Sequence, residues 1–284
     1  MRFAKFAGAD SRPFWGTIDD GDIVHRLGLP FTEWSDAYLR EGASGLGPTV
    51  EAGPLAEVRL LAPLDAGGRV LAVGANYQSH LTRMGVARPE HHVAFVKLDS
   101  CIIGPEEPIR YPATTSQLDY ELELVAVVGR ALPDDGSDAT ACLLGYTVGN
   151  DVSVRDAPLL QGGPDLHRSK VLDGISPLGP WITTLDELGG PGQPALEMTL
   201  RVNGERRQGE STEHMLLPVD EILAFLDQQI RLRPGDVVYT GSPAGVGLED
   251  GRFLQPGDVV EAEIEGIGTL RNPVGEKEPA GGRP

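Results

Sequence analysis

Carboxylates in two short stretches carry the chemistry this sequence could do. In LDYELELVAVVG, Leu118 to Gly129, Asp119, Glu121 and Glu123 alternate. In an extended chain, alternation puts them on one face, which Val125 and Val127 then continue. The opposite face, Leu118, Tyr120, Leu122 and Leu124, is large and apolar. From Leu122 to Val128 Glu123 is the sole charge, the pattern of a strand covered on both sides. Adjacent carboxylates where such a face opens into a cleft repel one another and resist desolvation. A bound divalent cation removes both problems. Asp151, in GYTVGNDVSVRD, brings a further acid from a second stretch. Carboxylates completed by water describe a hard-cation site for Mg²⁺, Mn²⁺ or Ca²⁺. Zinc suits it less, because these elements lack Cys and paired His.

The sequence contains its own control. In VVEAEIEGIG, Glu261, Glu263 and Glu265 alternate against Val260, Ala262 and Ile264. That is the pattern of a half-buried strand with one wet face, and these acids are expected to face water.

The elements that must position the acids are short and mostly strands. Thirty-seven Gly and 23 Pro punctuate the chain, which favours a β-rich fold. RPFWGTIDDGDIVHRL predicts two strands around a turn, and LREGASGLGPTVEAGP an irregular connection. RVLAVGANY predicts a short buried strand, and LRVNGERRQ a hairpin turning at Asn203-Gly204. LRPGDVVYTG and LQPGDVVEAEIE are two similar strand entries. PVDEILAFLDQQI predicts the main helix, with a stripe of Val219, Ile222, Leu223, Leu226 and Ile230. A second helix is expected in SDATACLLGY, capped by Ser137 or Asp138. Strands and helices do not alternate regularly, which argues against a doubly wound sheet or a (β/α)₈ barrel. A domain boundary falls near Leu61 to Gly68.

Composition narrows the partners. The 284 residues carry 24 Lys plus Arg against 42 Asp plus Glu, a net charge of −18, so neither nucleic acid nor an anionic membrane is an expected partner. Cys101 and Cys142 form no CxxC pair or disulfide framework. MRFAKFAGAD lacks the apolar run of a signal peptide, and no stretch is long and apolar enough for a membrane span. A cytoplasmic protein is expected.

The ordered motifs VGANYQSHLTRMG, FVKLDSCIIGPEEPI, LDYELELVAVVG, GYTVGNDVSVRD, SKVLDGISPLGPW, LRVNGERRQ, PGDVVYTGSPAGVG and PGDVVEAEIEGIGTLRNPV resemble the fumarylacetoacetate hydrolase family from about Val70 to Val274. The resemblance implies a β-rich α+β fold, a mixed β-roll catalytic domain with a small N-terminal β domain, usually as a homodimer. The expected division is a small domain over 1–65, a metal-dependent catalytic domain over 66–274 and a disordered tail over 275–284. It implies a divalent cation, Mg²⁺ or Mn²⁺ with Ca²⁺ possible, held by Glu121, Glu123 and Asp151, with Asp119 behind the ligands. It also implies a small-molecule 2-oxo acid substrate, chelated through its 2-oxo and carboxylate oxygens so that an enolate is stabilised. Hydrolysis of a carbon–carbon bond in an acylpyruvate is the first expectation. Decarboxylation or enol–keto isomerisation of a dicarboxylic 2-oxo acid is the alternative. A cation-stabilised domain that binds a metabolite without turnover is the rival of another class.

The same resemblance places Lys170 beside the metal, Thr240 on the substrate side and His80 as the base that activates water. The sequence departs from the pattern at one place. Members with a His–Glu dyad carry Glu three residues after the histidine, where this chain has Arg83. Arginine cannot accept the Nδ1 proton of His80. Either another carboxylate supports His80, or hydrolysis is not the reaction. Arg83 could instead grip a distal substrate carboxylate. His91-His92 and His214 are expected to be ordinary polar positions.

Overall fold

A computed structural model describes residues 1–8, 12–132, 139–160 and 163–279. Two sheets dominate. A twelve-stranded sheet runs, along its main path, Val50–Pro54, Ile23–Arg26, Pro13–Ile18, Arg2–Ala7, Ser176–Thr184, Leu143–Asn150, Leu122–Val128, Val237–Tyr239, Val70–Gly74 and Val93–Lys97. A five-stranded sheet runs Glu205–Ser211, Glu197–Val202, Val259–Ile264, Gly268–Lys277 and Ile109–Tyr111. Most pairings are antiparallel. Val237–Tyr239 beside Val70–Gly74 and Gly268–Lys277 beside Ile109–Tyr111 are parallel, so both sheets are mixed. The fold is the sheet-rich α+β class the sequence implies.

Leu122–Val128 is buried at every residue. Leu122, Leu124, Ala126 and Val128 face a core shared with Leu200, Val260 and Ala262 of the second sheet and Ile222 and Leu223 of the Val219–Gln229 helix. Val125 and Val127 face a second core containing Trp34, Val237 and Tyr239. Cover on both sides explains the near-continuous apolar run. Glu123 lies on the second of these faces. The control strand, by contrast, buries Val260, Ala262 and Ile264, while Glu263 is exposed and pairs with Arg201 at 3.3 Å.

Several elements differ from the sequence reading. Phe31–Glu41 is a helix, anchored by buried Phe31 and Trp34, with Trp34 stacked on Phe3 at 4.6 Å between ring centres. Its apolar residues recur at helical spacing, but the Gly/Pro-rich neighbourhood obscures them. The expected helix in SDATACLLGY is a 3₁₀ turn over Ala139–Cys142, after which Leu143–Asn150 is strand; Ser137 and Asp138 lie outside the described residues. Leu143, Leu144, Tyr146 and Val148 are all buried, so sheet packing overrides the local helical signal. LDYELELVAVVG is broken: Leu118–Asp119 pairs with Ser153–Val154, and the main strand begins only at Leu122. The expected tail begins inside Gly268–Lys277, and Glu278 forms an ion pair with Arg110; residues 280–284 lie outside the described residues.

Close approach behind the acidic strand requires glycine at one point. Gly149 pairs with Glu123, and a Cβ there would meet Tyr239 Cε1 at 2.4 Å and Val125 Cγ2 at 2.5 Å. Gly149→Ala is therefore expected to destabilise the fold by about 1–3 kcal/mol, as overpacking does. Gly28→Ala, where nothing lies within 4 Å, should change stability by less than about 0.5 kcal/mol. Urea unfolding midpoints check both, and equal midpoints would refute the packing argument.

Candidate active site

The acids meet because two antiparallel strands end together. Leu122 pairs with Asn150, the Glu121 N–H donates to Asn150 Oδ1 at 2.9 Å, and the Asp151 N–H donates to the Glu121 carbonyl at 2.8 Å. Glu121 and Asp151 thus flank the strand ends, with Glu123 two residues in. Oxygens of Glu121, Glu123 and Asp151 all lie within 4.8 Å of one another, and all three residues are buried. Asp119 is outside this cluster. It is fully buried, and its carboxylate accepts from Arg155 Nε at 2.8 Å and from the Gly247 and Leu248 N–H groups at 2.6 and 3.0 Å.

Three cations answer the acids, Lys170 and Lys97 buried and Arg155 partly so. Lys170, ending the short Leu166–Lys170 helix, reaches Glu121 at 2.5 Å and Asp151 at 2.6 Å. Arg155 bridges Asp119 and Glu121. Lys97, ending Val93–Lys97, pairs with Asp151 and donates to Ser176 Oγ at 2.5 Å. Sequence reasoning passed over Arg155 and Lys97. For Lys97 the usable signal was a lysine closing a strand of otherwise uncharged residues.

Charge balance sorts the carboxyls. Burial works against an ionised Glu121, but Lys170 and Arg155 outweigh it and hold its pKa below the ordinary carboxylate range. Burial likewise opposes the Lys170 ammonium, yet Asp151 and Glu121 hold its pKa above the usual lysine value. Glu123 differs. Burial, then the Asp151 and Glu121 carboxylates, push its pKa well up. It accepts the Gly241 N–H at 2.7 Å and, among the described residues, forms no ion pair. A buried carboxyl short of positive charge, beside two more carboxylates, fits a hard divalent cation.

The His80 side of the site comes from two neighbouring parallel strands. Val237 pairs with Val70 and Tyr239 with Ala72. The chain after Val70–Gly74 leads into the Gln78–Met84 helix with His80, and the chain after Val237–Tyr239 gives Thr240, Gly241 and the Gly247–Asp250 turn of helix. Asn76 stitches the two, donating to the Thr240 carbonyl at 2.8 Å. Across this junction His80 Nδ1 lies 3.1 Å from Glu249 Oε1, and Glu249 Oε2 accepts the Gly245 N–H at 2.9 Å. The carboxylate beside His80 is thus that of Glu249, from a distant part of the chain, and not one at position 83. Arg83 is exposed. His80 is near enough to help lower the pKa of Glu121. Thr240 is fully buried and its hydroxyl donates to the Leu124 carbonyl at 2.8 Å, leaving only acceptor capacity for a ligand in this arrangement. His91 and His92 are exposed, His92 against Phe225, and His214 is exposed beside Glu210.

Residues 69–275 match the fumarylacetoacetate (FAA) hydrolase C-terminal family. The chain belongs to the fumarylacetoacetate hydrolase family. Residues 1–63 match the Rv2993c-like N-terminal family. Over 280 residues the chain is 44% identical to Protein Rv2993c of Mycobacterium tuberculosis, covering 98% of this chain and 99% of that protein. A mitochondrial oxaloacetate tautomerase of Xenopus laevis is 34% identical over 96% of this chain and 90% of its own. The crystal structure of a 5-carboxymethyl-2-hydroxymuconate delta-isomerase from Mycobacterium smegmatis superposes with a TM-score of 0.76 at 35% identity, over 98% of this chain and 100% of that one. Members of this family are enzymes, and they generally bind divalent metals. No helix among the described residues is long and apolar enough to cross a membrane.

The charge balance makes a test without substrate. The raised pKa of Glu123 gives stability that is full below the ordinary carboxylate range and lost as pH rises through the raised value. The lowered pKa of Glu121 acts oppositely, its stabilisation being lost as pH falls. In EDTA, the wild-type melting temperature is therefore expected to decline as pH rises above about 5, while Glu123→Gln declines less. Added Mn²⁺ should raise the wild-type melting temperature and leave Glu123→Gln nearly unmoved. Parallel pH curves and equal responses to Mn²⁺ would exclude Glu123 from the site.

Proposed function

We propose that this chain is a divalent-cation-dependent enzyme that transfers a proton between carbon and oxygen of a 2-oxo acid, interconverting the enol and keto forms of a dicarboxylic substrate of the oxaloacetate class. The observation that carries the reading is the His80–Glu249 pair, 3.1 Å apart, set beside the buried Glu121, Glu123 and Asp151 cluster. Those three carboxylates would hold Mg²⁺ or Mn²⁺, which supplies a Lewis acid for the 2-oxo and carboxylate oxygens of the substrate.

The chain's own groups do the rest. Glu249 accepts the hydrogen bond of Nδ1–H, which leaves Nε2 of His80 free to take the proton from C3 and deliver it to the oxygen on C2, or the reverse in the enol-to-keto direction. The Glu249 carboxylate also stabilises the imidazolium formed meanwhile. Lys170 supplies fixed positive charge where substrate oxygen becomes negative. Arg83, one helical turn beyond His80, offers its planar fork to the distal carboxylate. The tautomerase and delta-isomerase activities of the two relatives named above support this choice. A second reading, hydrolysis of an acylpyruvate carbon–carbon bond, is favoured by the same pair, since a carboxylate-supported histidine also deprotonates water.

The test is a panel of oxaloacetate enol, acetylpyruvate, fumarylpyruvate and a 2-hydroxy-2,4-dienedioate with Mn²⁺, repeated in EDTA. Enol–keto conversion that EDTA abolishes is expected, with His80→Asn lowering kcat by about 10²–10⁴-fold. Faster cleavage of the acylpyruvates would favour the second reading. No turnover of any member would reject both in favour of a metabolite-binding domain. Arg83→Ala is expected to raise KM for dicarboxylic substrates only, by about 10–100-fold, the worth of a hydrogen bond to a charged group at about 1.5–3 kcal/mol. Glu263→Gln on the wet strand should leave kcat within about threefold, as distant surface changes do.

A further inference from the structure

We propose that Asp119 is the positioning residue of the His80–Glu249 pair, acting by fixing the turn of helix on which Glu249 stands. The inference rests on the proton-transfer reading above and adds a residue to it. Asp119 is the acid of the alternating trio that lies outside the cation cluster, and it is fully buried.

Its contacts are directed at two bodies. Oδ1 accepts the Gly247 N–H at 2.6 Å, and Oδ2 accepts the Leu248 N–H at 3.0 Å. These two residues open the Gly247–Asp250 helix, and Glu249 follows at once. Oδ2 also accepts from Arg155 Nε at 2.8 Å, and Arg155 continues to Glu121. One carboxylate therefore ties the segment bearing Glu249 to the strand ends bearing the cluster. A four-residue helix has little stability of its own, so external bonds must fix its place. The fit is close. A Cβ on Gly247 would meet Asp119 Oδ1 and the Arg252 carbonyl, each at 2.7 Å, so glycine is required for the backbone to come this near. Glu249 itself is held from the other side by the Gly245 N–H. A carboxylate supporting a base must be placed within a fraction of an ångström, which side chains on short surface segments do not achieve unaided.

The experiment compares Asp119→Asn, Glu249→Gln, the double variant and Gly247→Ala in the full chain. Asparagine keeps the shape but removes one acceptor and the charge. In metal-free protein, ¹⁵N spectra should place wild-type His80 in the Nδ1–H tautomer, and all four variants should redistribute it; a His80→Asn sample assigns the signal. With Mn²⁺ and oxaloacetate enol, Asp119→Asn should lower kcat on the order of tenfold, with KM and Mn²⁺ affinity within about threefold. Adding it to Glu249→Gln should cost less than about threefold more, because the two changes break one linkage. An unchanged His80 tautomer in Asp119→Asn, multiplicative losses in the double variant, or a fall in Mn²⁺ affinity matching the fall in kcat would each overturn the proposal. Should Asp119→Asn not fold, Gly247→Ala displaces the same turn while leaving Asp119 in place, and the same criteria decide. Inactive wild-type protein would reject the proposed function, and the His80 tautomer alone would then decide the positioning claim.

Discussion

Burying acids is the constraint from which the rest of this structure follows. Asp119, Glu121, Glu123 and Asp151 all leave water, in a place where like charges act on one another through a medium far less screening than solvent. Removing a carboxylate from water without a partner costs several kcal/mol, so each must be answered. Lys97, Lys170 and Arg155 answer three of them, and they arrive on an edge strand, a short helix and a loop that have no other reason to converge. The remaining shortfall rests on Glu123, in a strand buried at every residue. The arrangement of cores on both faces of Leu122–Val128 keeps water away from that shortfall.

The second part of the site depends on strand direction. Parallel neighbours release their following segments on the same side of a sheet. Val70–Gly74 and Val237–Tyr239 are such neighbours, which is why a histidine from the first third of the chain meets a glutamate from its last fifth. The meeting is independent of the local spacing around the histidine. Three residues past the histidine stands Arg83, while the carboxylate that pairs with that histidine stands on a turn 169 residues further along.

What was legible in the sequence follows the range of each interaction. The acidic alternation, its apolar opposite face, the Asn203-Gly204 hairpin and the Val219–Gln229 helix are local patterns, and each is found in the structure. Asp151 was legible because it closes a strand adjacent to the acidic one. The break at Tyr120 and Glu121 was hidden, since alternation looks the same with or without ladder bonds. Arg155 and Glu249 were not singled out, because nothing next to them in sequence distinguishes a buried partner from a solvated charge; Lys97 carried one local sign, the uncharged strand it closes. The Phe31–Glu41 helix had a readable stripe of Phe31, Trp34 and Tyr38, outweighed by the glycines and prolines that follow.

The strand Val93–Lys97 sits at the end of the large sheet and is bonded on one side only, along Val70–Gly74. Terminal strands are where sheets fray most easily, since half of their backbone groups hold to nothing in the sheet. Here the inward residue at its end is a lysine locked between Asp151 and Ser176. Peeling the strand away would take one of the two buried ammonium groups from Asp151 and leave Lys170 to answer both it and Glu121. The ionic cluster thus works as a latch on the sheet margin, so that mechanical integrity at the rim and electrical neutrality at the centre are one property of this molecule.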